Sequence, residues 1–156
     1  MLYFKIIESY LQAKIGHMAH VIESVNLSKI LHGYKSADFE YSHNYIVGAF
    51  LVNDNHWNAM VIDCARRRFY LLDPLKSTRD FAQKCLANWC FGTAKTQQLE
   101  LTEIPHPLQQ DSINCGPIVC WLIENIVFSG SVPDILPNMR VLRDSMDRFL
   151  KDSSTL

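Results

Sequence analysis

The sequence has 156 residues, of which 48% are hydrophobic and 20% charged, and its formal net charge is −1 at pH 7. These values are typical of one folded domain with its own hydrophobic core. Because positive charge is not in excess, they argue against a nucleic-acid-binding protein and against binding to an anionic membrane. No apolar run approaches the length of a bilayer-spanning helix.

Five cysteines bear on redox state and metal binding: Cys64, Cys85, Cys90, Cys115 and Cys120. An odd number in a chain of this size is not typical of a disulfide framework, so a reducing compartment is expected. No two of them form the Cys-x-x-Cys pair of a structural zinc site, and no metal is predicted. The first residues also lack the basic and apolar regions of a signal peptide.

The first third of the chain is predicted to be mostly helical. Four apolar residues in it recur at helical spacing: Phe4, Ile7, Leu11 and Ile15. This pattern predicts an amphipathic helix that ends at Gly16. Short helices are expected from Met18 to Val25 and from Leu27 to Leu31, and residues 34–43 are predicted to be a loop.

The middle of the chain has the composition of strands. Tyr45–Val52, His56–Asp63 and Phe69–Leu72 are rich in β-branched and aromatic residues. Their connections are short, so an antiparallel meander is the simplest arrangement. A helix is expected from about Thr78 to Cys90, and a fourth strand within Gln97–Glu103.

The stretch from Leu108 to Ile126 changes at Cys115 from a polar loop to a segment that is apolar on nearly every side. A helix that is apolar all round is buried. Pro117 fits the first helical turn. Unpaired N–H groups and the helix dipole at such an end favour a thiolate, which is the nucleophilic form. Cys115 is therefore either a reactive cysteine or a small buried residue at a helix start.

The layout predicts an α+β domain with a central, mainly antiparallel sheet of about four strands packed against helices. The candidate nucleophile lies at the N-terminus of a buried helix. A final helix is expected over Met139–Leu150, where apolar residues share one face.

Two strand ends bring a histidine and an aspartate together in this arrangement. His56 opens the second strand and Asp73 follows the third. The connected ends of these two strands lie near Asp63 and Arg68, so His56 and Asp73 meet at the opposite ends. Asp73 can then accept from one imidazole nitrogen and leave the other for Cys115. Taken alone, a strand-end histidine and an Asp-Pro turn each have an ordinary structural interpretation.

Gln109 lies six residues before Cys115, in the loop that leads into the buried helix. Its amide can donate to an oxyanion together with the backbone N–H of Cys115. Gln110 offers the same chemistry, but its position is less favourable. A solvated loop residue is the alternative interpretation of Gln109.

The sequence resembles the SUMO-specific (sentrin-specific) cysteine proteases, in the clan of the adenovirus-type proteases. The resemblance covers roughly residues 3–130 and is carried by His56-Trp57 after an apolar strand, by FYLLDPLKS at Phe69–Ser77 and by QQDSINCG at Gln109–Gly116. The order His, Asp, Gln, Cys agrees with the family pattern. The resemblance implies that His56 is the general base and acid, that Asp73 orients it, that Cys115 is the nucleophile and that Gln109 is an oxyanion donor.

The resemblance also implies a substrate. These proteases cleave after the C-terminal Gly-Gly of SUMO, ubiquitin or a related modifier through a thioester, without a cofactor. Trp57 matches the tryptophan that packs over the Gly-Gly tail, and a core aromatic is the alternative interpretation. The implied location is the nucleus or cytoplasm, or a host cell if the source is a pathogen.

Two departures from the family pattern stand out. Asn114 precedes the cysteine where many members have aspartate, and the orienting acid is Asp73, so no effect on the chemistry is expected. The family's N-terminal Trp-Leu-x-Asp segment, whose tryptophan forms the other wall of the Gly-Gly tunnel, is absent from residues 1–156. The chain is otherwise expected to be a single ubiquitin-like-protease catalytic domain.

Two alternatives to an active protease remain. A decayed protease domain keeps the fold and only binds a modifier. A clan-related acetyltransferase uses the same residue order but needs a basic pocket for acetyl-CoA, and the one basic cluster, Arg66–Arg68, is expected at the far end of the strands. A papain-type protease is disfavoured because its nucleophile precedes its histidine.

Overall fold

Five helices and five strands form the part of the chain that the computed structural model describes, which is residues 2–35, 44–53, 56–76, 78–93, 98–111 and 114–154. In chain order the elements are α1 (Leu2–Ile15), β1 (Ala19–Val21), α2 (Ser24–Leu31), β2 (Tyr45–Val52), β3 (His56–Asp63), β4 (Arg68–Leu72), α3 (Arg79–Thr93), β5 (Glu100–Leu101), α4 (Cys115–Ser129) and α5 (Met139–Ser154). This confirms the predicted α+β class.

The strands form one sheet in the order β1-β2-β3-β4-β5. Its centre is the predicted meander, since β2 pairs antiparallel with β3 and β3 pairs antiparallel with β4. Its two edges are parallel: β1 pairs with β2, and β5 pairs with β4. The sheet is therefore mixed, with one strand more than the sequence predicted.

The extra strand, β1, lies where a helix was expected over Met18–Val25. Ala19 pairs with Tyr45, and the N–H of Ile22 donates to the carbonyl of Val47 at 2.9 Å. Three residues are too few to show a strand period, so only pairing with β2 reveals this strand. The fourth predicted strand is real but shorter, with two residues in β5. Most of the predicted loop over 34–43 lies outside the described residues.

The sheet is covered on both faces. Helices α1, α4 and α5 pack on one face and share its hydrophobic core, whereas α2 and α3 cover the other face. Strand β3 alternates between the two cores: Ala59 and Val61 face the first, and Met60 and Ile62 face the second. Strand β3 is therefore the most enclosed element of the sheet, and His56 is its first residue.

Helix α4 is buried on nearly every side, as its composition predicts. It packs on β3, and its buried residues include Ile118, Cys120 and Leu122. It begins at Cys115 and ends at Ser129, and Gly130 follows with a φ of 75°, the left-handed conformation that glycine favours after a helix. Among the described residues, no helix is long and apolar enough to cross a bilayer.

Candidate active site

His56 and Asp73 lie together at one end of the inner strands, as the strand arrangement predicts. The register pairs Val52 with His56 and Ala59 with Leu72, so the start of β3 and the end of β4 lie at the same end of the sheet. His56 Nε2 forms a hydrogen bond with Oδ1 of Asp73. Because a carboxylate only accepts, this bond places the proton on Nε2 and leaves Nδ1 for another partner. The side chains are 18% and 14% exposed, so the pair is partly shielded from solvent.

The turn that follows β4 holds the carboxylate of Asp73 in place. Its Oδ1 also accepts from the backbone N–H of Leu75 at 2.8 Å. This short-range bond is the one expected of an aspartate in an Asp-Pro turn. The structural and the orienting interpretation of Asp73 are therefore compatible, because the turn fixes the oxygen that His56 contacts.

Cys115 is the first residue of α4, and it is 6% exposed. It belongs to the same buried cluster as Trp57 and Ala59 of β3, so the start of α4 packs on the strand that begins at His56. The start of a 15-residue helix presents backbone N–H groups and a partial positive charge to this thiol.

The other four cysteines are in surroundings that disfavour a thiolate. Burial raises the pKa of the Cys85 thiol to about 12 and raises the pKa of the Cys120 thiol further. Burial, the largest cause in each case, also raises the pKa of Cys64 and of Cys90. A thiol that stays protonated at neutral pH is a poor nucleophile, so none of these four is suited to nucleophilic catalysis.

Gln109 lies beside the turn that holds Asp73. Its backbone N–H donates to the carbonyl of Pro74 at 2.7 Å, and the residue is 8% exposed. Its side-chain Nε2 donates to Oδ1 of Asp111 at 3.3 Å. Among the residues described, none donates to its buried Oε1. Gln110 is exposed, and its amide donates to the carbonyl of Leu108 at 3.3 Å, so the structure separates the two glutamines by burial.

Trp57 follows His56 on β3 and points into the core. It is 4% exposed and packs with the cluster beneath α4. This position matches the interpretation of Trp57 as a core aromatic. Only a small part of the side chain is available to a ligand.

The sequence analysis did not predict the contacts among three further residues near the site. Asn114, Asp111 and Arg143 are joined by hydrogen bonds, and Arg143 comes from α5, 29 residues beyond Asn114. Asn114 does not cap α4 with its side chain, although it stands at the capping position. A sequence signal for this contact was lacking, because it depends on how α5 packs. Among the described residues, no group of three or more potential metal ligands is present.

Neither a protein-family model nor a curated protein sequence matches the chain. Several solved structures do match the chain. The SUMO protease Ulp1, with its catalytic cysteine oxidised to a sulfonic acid, is 18% identical, with 96% of this chain and 78% of that chain covered and a TM-score of 0.70. The C-terminal protease domain of Ulp1 in complex with Smt3, the yeast ortholog of SUMO, is 17% identical, with 96% and 76% covered and a TM-score of 0.71.

A bacterial structure is also similar. The Xanthomonas campestris effector XopD, bound to ubiquitin, is 16% identical, with 94% of this chain and 88% of that chain covered and a TM-score of 0.62. These likenesses span nearly all of the described elements, and at such identities they are likenesses of fold. The chain has the α+β fold of the Ulp1-type SUMO proteases.

Proposed function

We propose that this chain is a cysteine protease that cleaves after the C-terminal Gly-Gly of SUMO, ubiquitin or a related modifier. The observation that carries the proposal is the hydrogen bond between His56 and Asp73 at one end of β3 and β4, with Cys115 at the start of the helix that packs on β3. The fold is shared with Ulp1 and XopD, whose structures hold Smt3 and ubiquitin respectively. On this proposal, the whole chain is one catalytic domain.

The reaction begins at the free nitrogen of His56. Asp73 holds the proton on Nε2, so Nδ1 has a lone pair and takes the proton of the Cys115 thiol. The thiolate attacks the carbonyl carbon of the terminal glycine. The negative oxygen that forms accepts from the N–H of Cys115 and from Nε2 of Gln109.

His56 then returns its proton to the leaving amine, and the carbon–nitrogen bond breaks to give a thioester. Water, deprotonated by His56, attacks the thioester and releases the modifier with a free carboxylate. The thiol of Cys115 is restored in the last step. Asp73 stabilises the imidazolium in each half of the cycle and does not itself take the proton.

Glycine at the cleaved end fits the enclosed surroundings of the nucleophile. Cys115 and Trp57 are both largely buried, so a wide side chain next to the reacting carbonyl has little room. A narrow approach selects against any residue larger than glycine by steric clash. On this proposal, Trp57 contributes a wall of that approach through its small exposed part.

The position of the basic cluster weighs against the acetyltransferase alternative. Arg66 and Arg67 connect β3 to β4, where Asp63 pairs with Arg68, at the opposite end of these strands from His56. A cofactor phosphate bound there lies a full strand length from the proposed nucleophile. No second basic group of comparable size adjoins His56 in the sequence.

The test uses modifiers that carry an electrophile at the C-terminus. SUMO and ubiquitin probes are incubated with the native protein, with Cys115→Ala and with Cys64→Ala. Cys64 is a half-buried cysteine that follows the last residue of β3, at the opposite end of the strand from His56. Intact-mass measurement is expected to show one adduct per chain in the native protein and in Cys64→Ala, and none in Cys115→Ala. Binding of a modifier without an adduct would favour a domain that only binds modifiers. Neither binding nor an adduct with any modifier would refute the proposal.

A further inference from the structure

A small polar network joins helix α5 to the loop that precedes Cys115. Nε of Arg143 donates to Oδ1 of Asn114 at 2.6 Å. Nδ2 of Asn114 donates to Oδ2 of Asp111 at 2.7 Å, and the backbone N–H of Asn114 donates to Oδ1 of Asp111 at 3.0 Å. The chain of contacts continues to Gln109, whose Nε2 donates to the same Oδ1 at 3.3 Å.

The network ends on both groups that the proposed mechanism uses for the oxyanion. Gln109 is one donor, and Asn114 is bonded covalently to Cys115, whose N–H is the other. Asp111 lies between them and accepts from both sides. Its carboxylate thereby ties together the two described parts of the loop, Gln109–Asp111 and Asn114–Cys115.

Asp111 also decides which way the amide of Gln109 faces. A carboxylate only accepts, so the nitrogen of the amide, and not its oxygen, must point toward Asp111. An amide nitrogen has two hydrogens, and the bond to Asp111 uses one of them. The second hydrogen remains for the oxyanion of the substrate.

Arg143 supplies the rigid anchor and the charge balance. It lies on α5 between Leu142 and Met146, and both of these residues are buried in the core that α5 shares with α4. Its guanidinium contacts Asn114, which in turn contacts Asp111, so a positive charge lies one residue away from a carboxylate that would oppose an oxyanion forming close by. The residue is half-buried, so solvent screens this balance only in part.

We propose that Arg143 is a positioning residue that acts through Asn114 and Asp111 to hold the Gln109 amide and the Cys115 N–H toward one oxyanion. The inference rests on the proposed function, because it assigns these groups to acyl transfer. It gives Asn114 a role that the sequence analysis did not expect. It also makes α5 a part of the catalytic support.

The first experiment measures hydrolysis of a fluorogenic modifier C-terminal amide by Arg143→Met, Arg143→Lys and Arg148→Met. Arg148 is an exposed arginine on the same helix and serves as the matched control. Misplacing an oxyanion donor is expected to lower kcat of Arg143→Met by about 10- to 100-fold with KM within about twofold. Arg143→Lys keeps a donor and the charge, so it is expected to recover part of the loss.

A charge exchange tests the network more sharply. In Asn114→Asp alone, a carboxylate oxygen at position 114 faces the carboxylate of Asp111, and both groups only accept. In Asp111→Asn alone, an amide nitrogen at position 111 faces Nδ2 of Asn114, and both groups donate. Together, Asp111→Asn and Asn114→Asp move the amide to position 111 and the carboxylate to position 114, and all four hydrogen bonds can form again. Each single variant is expected to lose activity and the double variant to regain it, a non-additivity typical of direct contact.

Equal kcat in Arg143→Met and Arg148→Met, or a double variant no better than the worse single one, would overturn the inference. A readout independent of activity separates it from the proposed function. In ¹H–¹⁵N spectra, the side-chain amide of Gln109 and the backbone amide of Cys115 are expected to shift in Arg143→Met and not in Arg148→Met. If the native protein cleaves no modifier, the proposed function fails, and these shifts alone uphold or refute the positioning.

Discussion

Replacing Asp73 with asparagine is expected to remove the charge that faces His56 while keeping its hydrogen bonds. In the structure, one carboxylate oxygen accepts both from His56 Nε2 and from the N–H of Leu75. An amide oxygen can take the same place and accept both bonds, so the histidine keeps its proton on Nε2. On the proposed mechanism, the loss is that of the stabilisation of the imidazolium that forms when His56 takes the thiol proton.

The size of the loss follows from Coulomb's law. Two unit charges about 5 Å apart interact by about 3 kcal/mol at an effective dielectric constant of about 20, which corresponds to a fall in kcat of about 10²-fold. If the amide turned its nitrogen toward His56 instead, the ring would have to accept at Nε2 and hold its proton on Nδ1. The loss would then be larger, because the base would face the thiol with the wrong nitrogen.

The assay compares initial rates of modifier-amide hydrolysis for the native protein, Asp73→Asn and Asp63→Asn. Asp63 is the last residue of β3, at the opposite end of the strand from His56, and it accepts from the N–H of Arg66 at 3.0 Å. Asp63→Asn is expected to change stability but leave kcat unaltered. A loss below about threefold in Asp73→Asn would refute the role of its charge, since a contact with His56 at this range cannot be that weak.

Three further predictions concern stability and thiol reactivity. Burial raises the pKa of the Glu124 carboxyl in the folded state, so the free energy of unfolding falls as pH rises from the ordinary carboxyl pKa through the raised one. Urea unfolding of Glu124→Gln from pH 4 to 8 is expected to lack that fall. The same pH dependence in the native protein and in Glu124→Gln would contradict the prediction. Gly48→Ala places a Cβ 2.5 Å from Cδ2 of buried Leu27, so thermal or urea unfolding is expected to show a free energy of unfolding lower by about 1–3 kcal/mol. An unchanged unfolding midpoint would mean that Leu27 moves freely. Burial raises the pKa of Cys85 to about 12, so we expect alkylation of Cys85 at pH 8 only after the chain is unfolded. Peptide mass spectrometry measures the labelling. A labelled Cys85 in the folded chain would show that the thiol is accessible.

The contact between His56 and Asp73 was predictable because it depends on strand order and strand length alone. Two adjacent antiparallel strands with a short turn bring their free ends together, whatever packs above them. The start of α4 at Cys115 was predictable for a similar reason, since local composition marks both the loop and the buried helix. Catalytic roles for these residues stay predictions that the proposed experiments test.

The parts that escaped prediction depend on distant packing. Strand β1 has only three residues, which is too short for an alternating hydrophobic pattern that would predict a strand. It forms because its residues pair with Tyr45–Val47 of β2. The parallel pairing of β5 with β4 likewise requires knowing where the chain returns after α3. Arg143 reaches Asn114 only because α5 packs beside α4, and a sequence without that geometry shows merely an arginine on an amphipathic helix.

Both edges of the sheet are very short, and this affects how the protein behaves at high concentration. Strand β1 has three residues and β5 has two, whereas the longer strands β2, β3 and β4 lie between them. Unpaired backbone groups along an edge strand are a template on which another molecule can add a strand, and a short edge offers few of them. Strand β1, however, pairs with only the first three residues of β2, so among the described residues the outer backbone groups of 48–52 have no strand partner. This part of β2 is where a strand from another molecule is expected to add at high concentration.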